Sequence, residues 1–325
     1  MSDATYDVLG VGNAIVDIIA QTDEAFLAKH DMPKGGMALI DEARAHAIYG
    51  DMGSAIEASG GSAANTIAGI ASFGGKAAFI GKVKQDEFGD IFAHDLKSIG
   101  VHFATPAAPD GVATARCLVM VTDDAQRTMG THLGACVDLT PDDVDADLVA
   151  ASAITYLEGY LFDPPAAKEA FRKASTIARA AGRKVALTLS DSFCVHRYKD
   201  EFKALIADHI DILFANDDEI EALYGSRDIA AAANDLSAKI DIVAITLGAQ
   251  GSLIASGDGR YEIPAAPIKD LVDTTGAGDL YAAGVLYGLS RHLPFAECGR
   301  LGSIGAAEVI QHYGARPLQP LRELA

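Results

Sequence analysis

Seven residues near the C-terminus, Asp273-Thr274-Thr275-Gly276-Ala277-Gly278-Asp279, set small side chains and a carboxylate just ahead of an apolar run, Leu280 to Leu289. Small residues at a helix start leave backbone amides free, and the helix dipole adds partial positive charge there. Gly276, Ala277 and Gly278 would then form an anion hole. Asp279, at its edge, is placed to take a proton from a nucleophile that attacks a bound phosphoryl group. A lone Gly-x-Gly-Asp suits a tight turn capped by the aspartate equally well. The full string before an apolar helix is much more specific.

Three further strings carry polar groups at useful spacing. Ser59-Gly60-Gly61-Ser62-Ala63-Ala64-Asn65 opens a small-residue helix through Ser72. Its glycines permit close approach of backbone to a ligand, and Asn65, one turn in, can bond a hydroxyl in either direction. A plain strand-to-helix turn would look the same. Asn216-Asp217-Asp218-Glu219 follows a strand-like run. Asn216 and Glu219 share one side of a helix start, and oxygen ligands of this kind suit Mg²⁺ held through retained waters. Acidic residues also favour any first helical turn, and on this string alone that reading is the stronger. Gly10-Val11-Gly12-Asn13-Ala14-Ile15-Val16-Asp17 begins like a dinucleotide fingerprint. Ile15 stands where the third glycine belongs, and the chain continues as strand, so that reading fails. Asn13 and Asp17 are left as polar groups in an apolar stretch, where a turn residue and an exposed strand residue are the ordinary reading.

Elements must hold these groups in place. Val8 to Val11, Ala77 to Ile80, Ile154 to Leu157, Val185 to Leu189, Ile210 to Ala215 and Ile242 to Leu247 are short apolar runs that read as buried parallel strands. Helical patterns lie between them. From Pro165 to Ala181 the apolar positions Ala170, Phe171, Ala174, Ile177 and Ala178 share one face, with Gly182 as the stop. Leu280 to Leu289 reads as a fully buried helix. The alternation predicts a doubly wound α/β sheet. Two regions break it. Residues 15–58 hold strand-like pieces, Ile15 to Ala20 and Met37 to Ile40, with short helices at Asp23 to His30 and Asp41 to Tyr49. Residues 112–131 read as a hairpin: Ala113 to Thr122, a turn at Asp123-Asp124, then Gln126 to Thr131. Together they predict a small accessory β-layer on a single domain spanning 1–325.

Composition narrows the function. The chain has 325 residues, half of them hydrophobic, and a net charge of −19. No Lys/Arg cluster offers itself to a nucleic-acid backbone. Cys117, Cys136, Cys194 and Cys298 are far apart and form no CxxC, so we expect neither disulfides nor a zinc site, and a reduced, cytoplasmic setting. The N-terminus lacks the basic and apolar regions of a signal peptide, and no apolar run is long enough to span a membrane. GxxxxGK[ST], HExxH and GxSxG are absent.

In this order the motifs resemble the PfkB, or ribokinase-like, family of small-molecule kinases. Gly60-Gly61-Ser62-Ala63-Ala64-Asn65 through Gly81 looks like its N-terminal signature, Asp273 to Asp279 like its C-terminal one, and Asn216-x-x-Glu219 like its NxxE magnesium motif. The resemblance spans about residues 6–317. It is strongest to the adenosine-kinase branch, through Gly10 to Asp17, Asp211 to Asn216, Tyr156-Leu157-Glu158-Gly159-Tyr160-Leu161-Phe162 and the long stretch from Asp17 to Gly60. Lys84 departs from the pattern, standing where the family often has glycine. The resemblance implies an αβα sandwich with a mostly parallel central sheet and a small β-sheet lid, formed by about 15–58 and 112–131. It implies ATP as donor with Mg²⁺, and that Asn13, Asp17, Gly61, Ser62 and Asn65 hold the acceptor's hydroxyls. Arg127, on the lid hairpin, matches a position that approaches the reacting end. Thr246, Gly248 and Gly251 match a nucleotide-site strand and loop. Asp273, Thr275 and Gly314 match positions that bind K⁺ in potassium-activated members. The expected activity is transfer of a phosphoryl group from ATP to the 5′-hydroxyl of a nucleoside, adenosine first. The alternatives are a ribokinase- or fructokinase-type sugar kinase and a non-catalytic ligand-binding protein on the same fold. A monomer is expected: Phe26, Leu27, Ala45 and Ile48 on the two short helices would cover the lid in cis, and the net charge disfavours self-association.

Overall fold

The computed structural model describes residues 4–124, 126–162 and 164–325. Its large sheet has nine strands, in the spatial order Gly259–Ile263, Ser252–Ser256, Ile242–Thr246, Ile212–Asn216, Lys184–Thr188, Ser152–Glu158, Tyr6–Val11, Ala77–Ile80 and His102–Phe103. From Ile242–Thr246 onward all neighbours are parallel, and the first two strands are added antiparallel. All six runs read as strands from their β-branched content are strands. Buried on both faces, they have no polar side to show.

Each face carries its own core. Val8, Phe79, Tyr156, Phe214 and Ala244 pack with Ile67, Leu280 and Leu301 from helices on one side. Leu9, Leu157, Leu187, Leu213 and Val243 pack with Phe171, Phe202 and Ile220 on the other. The sandwich is therefore helix, sheet, helix. The helix Pro165–Ala180 ends where Gly182 takes φ 69°, with the Arg183 amide returning to the Ala178 carbonyl. The helix Ala277–Ser290 buries eight of its residues, as its all-round apolar sequence requires. No described helix is long and apolar enough to cross a membrane.

The second sheet has five strands, in the order Met37–Leu39, Arg127–His132, Ala115–Val121, Ile15–Gln21 and Ala55–Gly60. Ala115–Val121 and Arg127–His132 form the expected antiparallel hairpin. Ala55–Gly60 escaped the sequence reading. Apart from the exposed Ile56 its residues are small or polar and it is an edge strand, so no apolar alternation marks it. On one face of this sheet Val16, Ile18, Leu118 and Met120 pack against Leu27, Ala45 and Ile48, with Phe26 alongside. Those four come from the helices Glu24–Lys29 and Glu42–Asp51, whose first turns are capped by Asp23 and Asp41. Lys84 ties the large sheet's side to the start of the hairpin: its amide donates to Thr114 Oγ1 (2.9 Å) and its ammonium to the Gly111 carbonyl (2.8 Å).

Candidate active site

The C-terminal ends of the parallel strands and the inner face of the small sheet enclose a cavity of about 840 Å³. Open α/β sheets bind ligands at this end. Asn13, Asp17, Gly61, Ser62, Asn65, Arg127, Asn216, Glu219, Thr246, Thr275, Gly276, Gly278, Asp279 and Gly314 all line it. Residues from seven separate segments of the chain thus meet in one space. Ala277, Gly248, Gly251 and Asp273 are not on its wall.

Asp279 sits in the first turn of the helix Ala277–Ser290. Its two oxygens accept from Ser62 Oγ (2.6 Å) and Asn65 Nδ2 (3.0 Å), which joins the two glycine-rich strings directly. Its removal from bulk water pushes its carboxyl up to about 6, with the Ser62 and Asn65 bonds and the Arg316 charge opposing. One face remains open to the cavity. Gly276 precedes the helix at φ 80°, and a Cβ there would lie 2.9 Å from Ala315. No side chain caps this helix. The amides of Ala277 and Leu280 return to the carbonyls of Thr274 and Gly276. Those of Gly278 and Asp279, both residues of the cavity wall, are left for an anion. A Cβ added at Gly278 would meet nothing, so the space beside it is open.

Two charged residues complete this end, and the sequence reading missed both as site residues. Glu158 ends the central strand and is 1% exposed. It accepts from the Ala63 amide (2.8 Å), the Asn13 amide (3.2 Å) and Asn13 Nδ2 (2.6 Å). One carboxylate therefore fixes the start of the Ser62–Ser72 helix and turns the Asn13 amide group so that its Nδ2 faces inward. Burial pushes Glu158 up to about 7, against the pull of those donors. Gly12 makes room for it: a Cβ there would lie 2.4 Å from Glu158 Oε2. Arg316 donates from Nε to Asn65 Oδ1 (3.3 Å), so Asn65 is held on one side by Arg316 and on the other by Asp279. Arg316 also opposes the burial that pushes Asp17 up to about 6. Glu308 steadies the loop that carries Arg316 by accepting from the Leu318 (3.0 Å) and Gln319 (3.2 Å) amides.

At the other end, Asn216 and Glu219 form a reciprocal cap on the helix Asp217–Tyr224. Glu219 donates its amide to Asn216 Oδ1 (2.7 Å), and the Glu219 carboxylate accepts from the Asn216 amide and Nδ2 (3.0 Å each). The ordinary helix-start reading is therefore realised. Both side chains nevertheless reach the cavity, and burial pushes Glu219 up to about 7, with Asp191, Asp218 and Asp217 adding negative charge. Among the described residues no three metal-ligating side chains gather. The site does not fit a protein-caged metal. Asn216 and Glu219 would suit Mg²⁺ held through retained waters, where the ion would supply positive charge. Thr246 faces the same space. Gly248 and Gly251 build the turn behind it, at φ 58° and 93°, where a Cβ on Gly251 would lie 2.1 Å from the Ile263 carbonyl.

Arg127 crosses from the small sheet. Its guanidinium lies 2.6 Å from Asp273 Oδ2 and donates from Nη1 to Thr275 Oγ1 (3.1 Å). The carboxylate expected to bind K⁺ is thus already paired.

A family model described as pfkB family carbohydrate kinase matches residues 52–322. Among solved structures, the adenosine kinase from Sinorhizobium meliloti is 50% identical, with a TM-score of 0.91 over 99% of this chain and 98% of that one. A probable sugar kinase protein from Rhizobium etli CFN 42 is 48% identical, with a TM-score of 0.91 over the same shares. An adenosine kinase of Saccharomyces cerevisiae is 27% identical across 95% of this chain and 96% of its own length.

Proposed function

The chain belongs to the pfkB family of carbohydrate kinases and is a phosphotransferase, and on that premise we propose that it uses ATP to phosphorylate the 5′-hydroxyl of adenosine. The observation that carries a nucleoside over a free sugar is the inner face of the small sheet. Ile15, Ile19, Met37, Leu39, Val119 and Met129 turn apolar side chains into the cavity. Such a wall suits the flat face of a heterocycle, whereas a free sugar's hydroxyls would lose their water there without replacement partners. Asp17 is the one carboxylate on that face, and with Asn13 and Asn65 it offers the partners a ribose needs.

In this reading Asp17, Asn13 and Asn65 hold the ribose, and Asp279 receives the proton of the 5′-hydroxyl as it attacks. A carboxyl near 6 is ionised at neutral pH and still basic enough for the task. Ser62 and Asn65 aim that carboxylate. The free amides of Gly278 and Asp279 meet the charge that spreads over the transferring phosphoryl oxygens. Asn216 and Glu219 would hold Mg²⁺ through water, and the ion would supply charge neutralisation at the phosphates. Gly61 lets the backbone approach: at φ 95°, a Cβ there would lie 2.3 Å from the Asn13 carbonyl. ATP as donor and four buried free thiols agree with a cytoplasmic setting.

The test is ADP release with ATP and Mg²⁺ over a panel of adenosine, other nucleosides, ribose and fructose, with the product's phosphate located by mass spectrometry. Selective turnover of adenosine to the 5′-monophosphate is expected. Turnover of the free sugars alone would overturn the substrate assignment, and no turnover of any acceptor would favour a ligand-binding role.

A further inference from the structure

A monovalent cation at Asp273, Thr275 and Gly314 would neutralise the loop that leads into the anion cradle. The residues present do not fit one. The Asp273 and Arg127 side chains are both more than nine-tenths removed from solvent, and Arg127 Nη2 lies 2.6 Å from Asp273 Oδ2, a charge contact whose angles make no hydrogen bond. Asp273 Oδ1 is also occupied, accepting from the Thr275 amide (3.1 Å) and hydroxyl (2.8 Å). The Thr275 hydroxyl in turn accepts from Arg127 Nη1. On its other side the guanidinium lies 5.4 Å from the Tyr313 ring centroid, next to Gly314. A single positive group therefore already lies between the loop 273–276 and the loop 313–315. A second cation would find one carboxylate, already paired, and a like charge beside it.

We propose that Arg127 is a positioning residue that replaces the monovalent cation, so that the cradle is ordered by the small sheet and not by a dissolved ion. The chemistry suits the task. A guanidinium is planar and always charged, and it can contact an anion, a hydroxyl and an aromatic face at once. It also differs from an ion in one functional respect. Arg127 opens the strand Arg127–His132, where it pairs with Val121 across the hairpin. The charge that fixes Asp273 and Thr275 thus arrives only when the small sheet is seated over the cavity. The next residues are Gly276 to Asp279, which carry the cradle amides and the base. Seating of the small sheet and ordering of the phosphate cradle become one event, which protects ATP from hydrolysis while the cavity is open.

The rate arm of the test rests on the phosphotransferase reading, and the stability arm does not. Thermal unfolding without substrate should give the wild-type chain one midpoint in potassium, sodium and tetramethylammonium chloride at equal ionic strength. Arg127→Ala should unfold earlier in tetramethylammonium and recover in potassium or in millimolar guanidinium, and Arg127→Lys should recover in part without additions. Turnover should follow the same order, with a loss in Arg127→Ala of roughly ten- to hundredfold, the scale of one charge-assisted contact. The double variant Arg127→Ala/Asp273→Asn should be no worse than Arg127→Ala, since the carboxylate left unpaired is then gone, and it serves if the single variant does not fold. Selective stabilisation of the wild-type chain by potassium would overturn the proposal. So would an Arg127→Ala protein that no small cation rescues. The expected midpoints without turnover of any acceptor would uphold Arg127's role and count against the proposed function alone.

Discussion

Replacing Glu158 by glutamine keeps the side chain's shape and removes its proton equilibrium. Glu158 is 1% exposed, and burial moves its carboxyl from the ordinary 4.5 to about 7. The folded protein therefore holds this proton more tightly than the unfolded chain does. The stabilisation this brings is complete below about pH 4.5 and is lost as pH rises through 7, after which stability is flat again. At ~1.4 kcal/mol per pH unit, the full span comes to about 3 kcal/mol, and the part between pH 5 and 8 to about 2–3 kcal/mol. Glutamine has no such term. Urea unfolding of the ligand-free protein at pH 5 and 8 should show the gap between wild type and Glu158→Gln shift by that amount in the variant's favour. Asp17 and Glu219 are common to both proteins and cancel in the difference, and Asp279, whose charge helps raise Glu158, enters as a smaller coupling. A second effect follows from the donors. Three amide N–H groups converge on Glu158. Glutamine's oxygen can still accept from the two backbone amides, but its NH₂ then meets Asn13 Nδ2, so the Asn13 amide group must turn over. Asn13 would then present a donor to the cavity where it presented an acceptor, and KM for the nucleoside should rise more than kcat falls. Parallel pH profiles for the two proteins would refute the buried-carboxyl argument, whatever the kinetics.

Four other outcomes test the remaining expectations. Asp279→Asn should lower kcat by about 10²–10⁴ while calorimetry still shows nucleoside binding, and turnover near the wild-type rate would remove Asp279 as the base. Wild-type kcat/KM should itself fall as pH drops below about 6, because Asp279 and Asp17 then take up protons. Glu219→Gln keeps a side chain able to complete the helix cap, so the fold should hold while the Mg²⁺ concentration for half-maximal rate rises, and an unchanged Mg²⁺ dependence would leave Glu219 only its cap. Light scattering at micromolar protein should give a mass near 33.8 kDa, since the outer face of the small sheet is covered by its own helices, and twice that mass would refute the monomer.

What could be read from the residues, and what could not, divides along a physical line. Six of the seven parallel strands were legible because burial on both faces leaves short apolar runs, whereas His102–Phe103 is only two residues long and left no such run. Asp279 was legible because free amides at a helix start need small residues, and small residues beside a carboxylate are visible as a string. Ala55–Gly60 was not, because an edge strand of small residues has no alternation to show. Asn216 and Glu219 could be read in two ways, and the structure realises the cap without removing either side chain from the cavity. Glu158 lay within a string compared with the family, yet its role was invisible. Its partners are an amide 95 residues away and two groups of a residue 145 away, and two of these three donors are backbone N–H groups that every residue type carries. Arg316 was hidden for a related reason: its partner Asn65 is 251 residues distant. Arg127 shows the same limit from the other side. Its resemblance placed it near the reacting end and placed Asp273 at an ion site, and each assignment treated its residue alone. Only the fold brings the two to 2.6 Å, where the charges of one basic and one acidic side chain compensate each other. Spacing along a chain reveals groups that act within one helix turn or one loop. Contacts between distant segments, such as those of Arg127 with Asp273, of Glu158 with Asn13 and of Arg316 with Asn65, are set by topology.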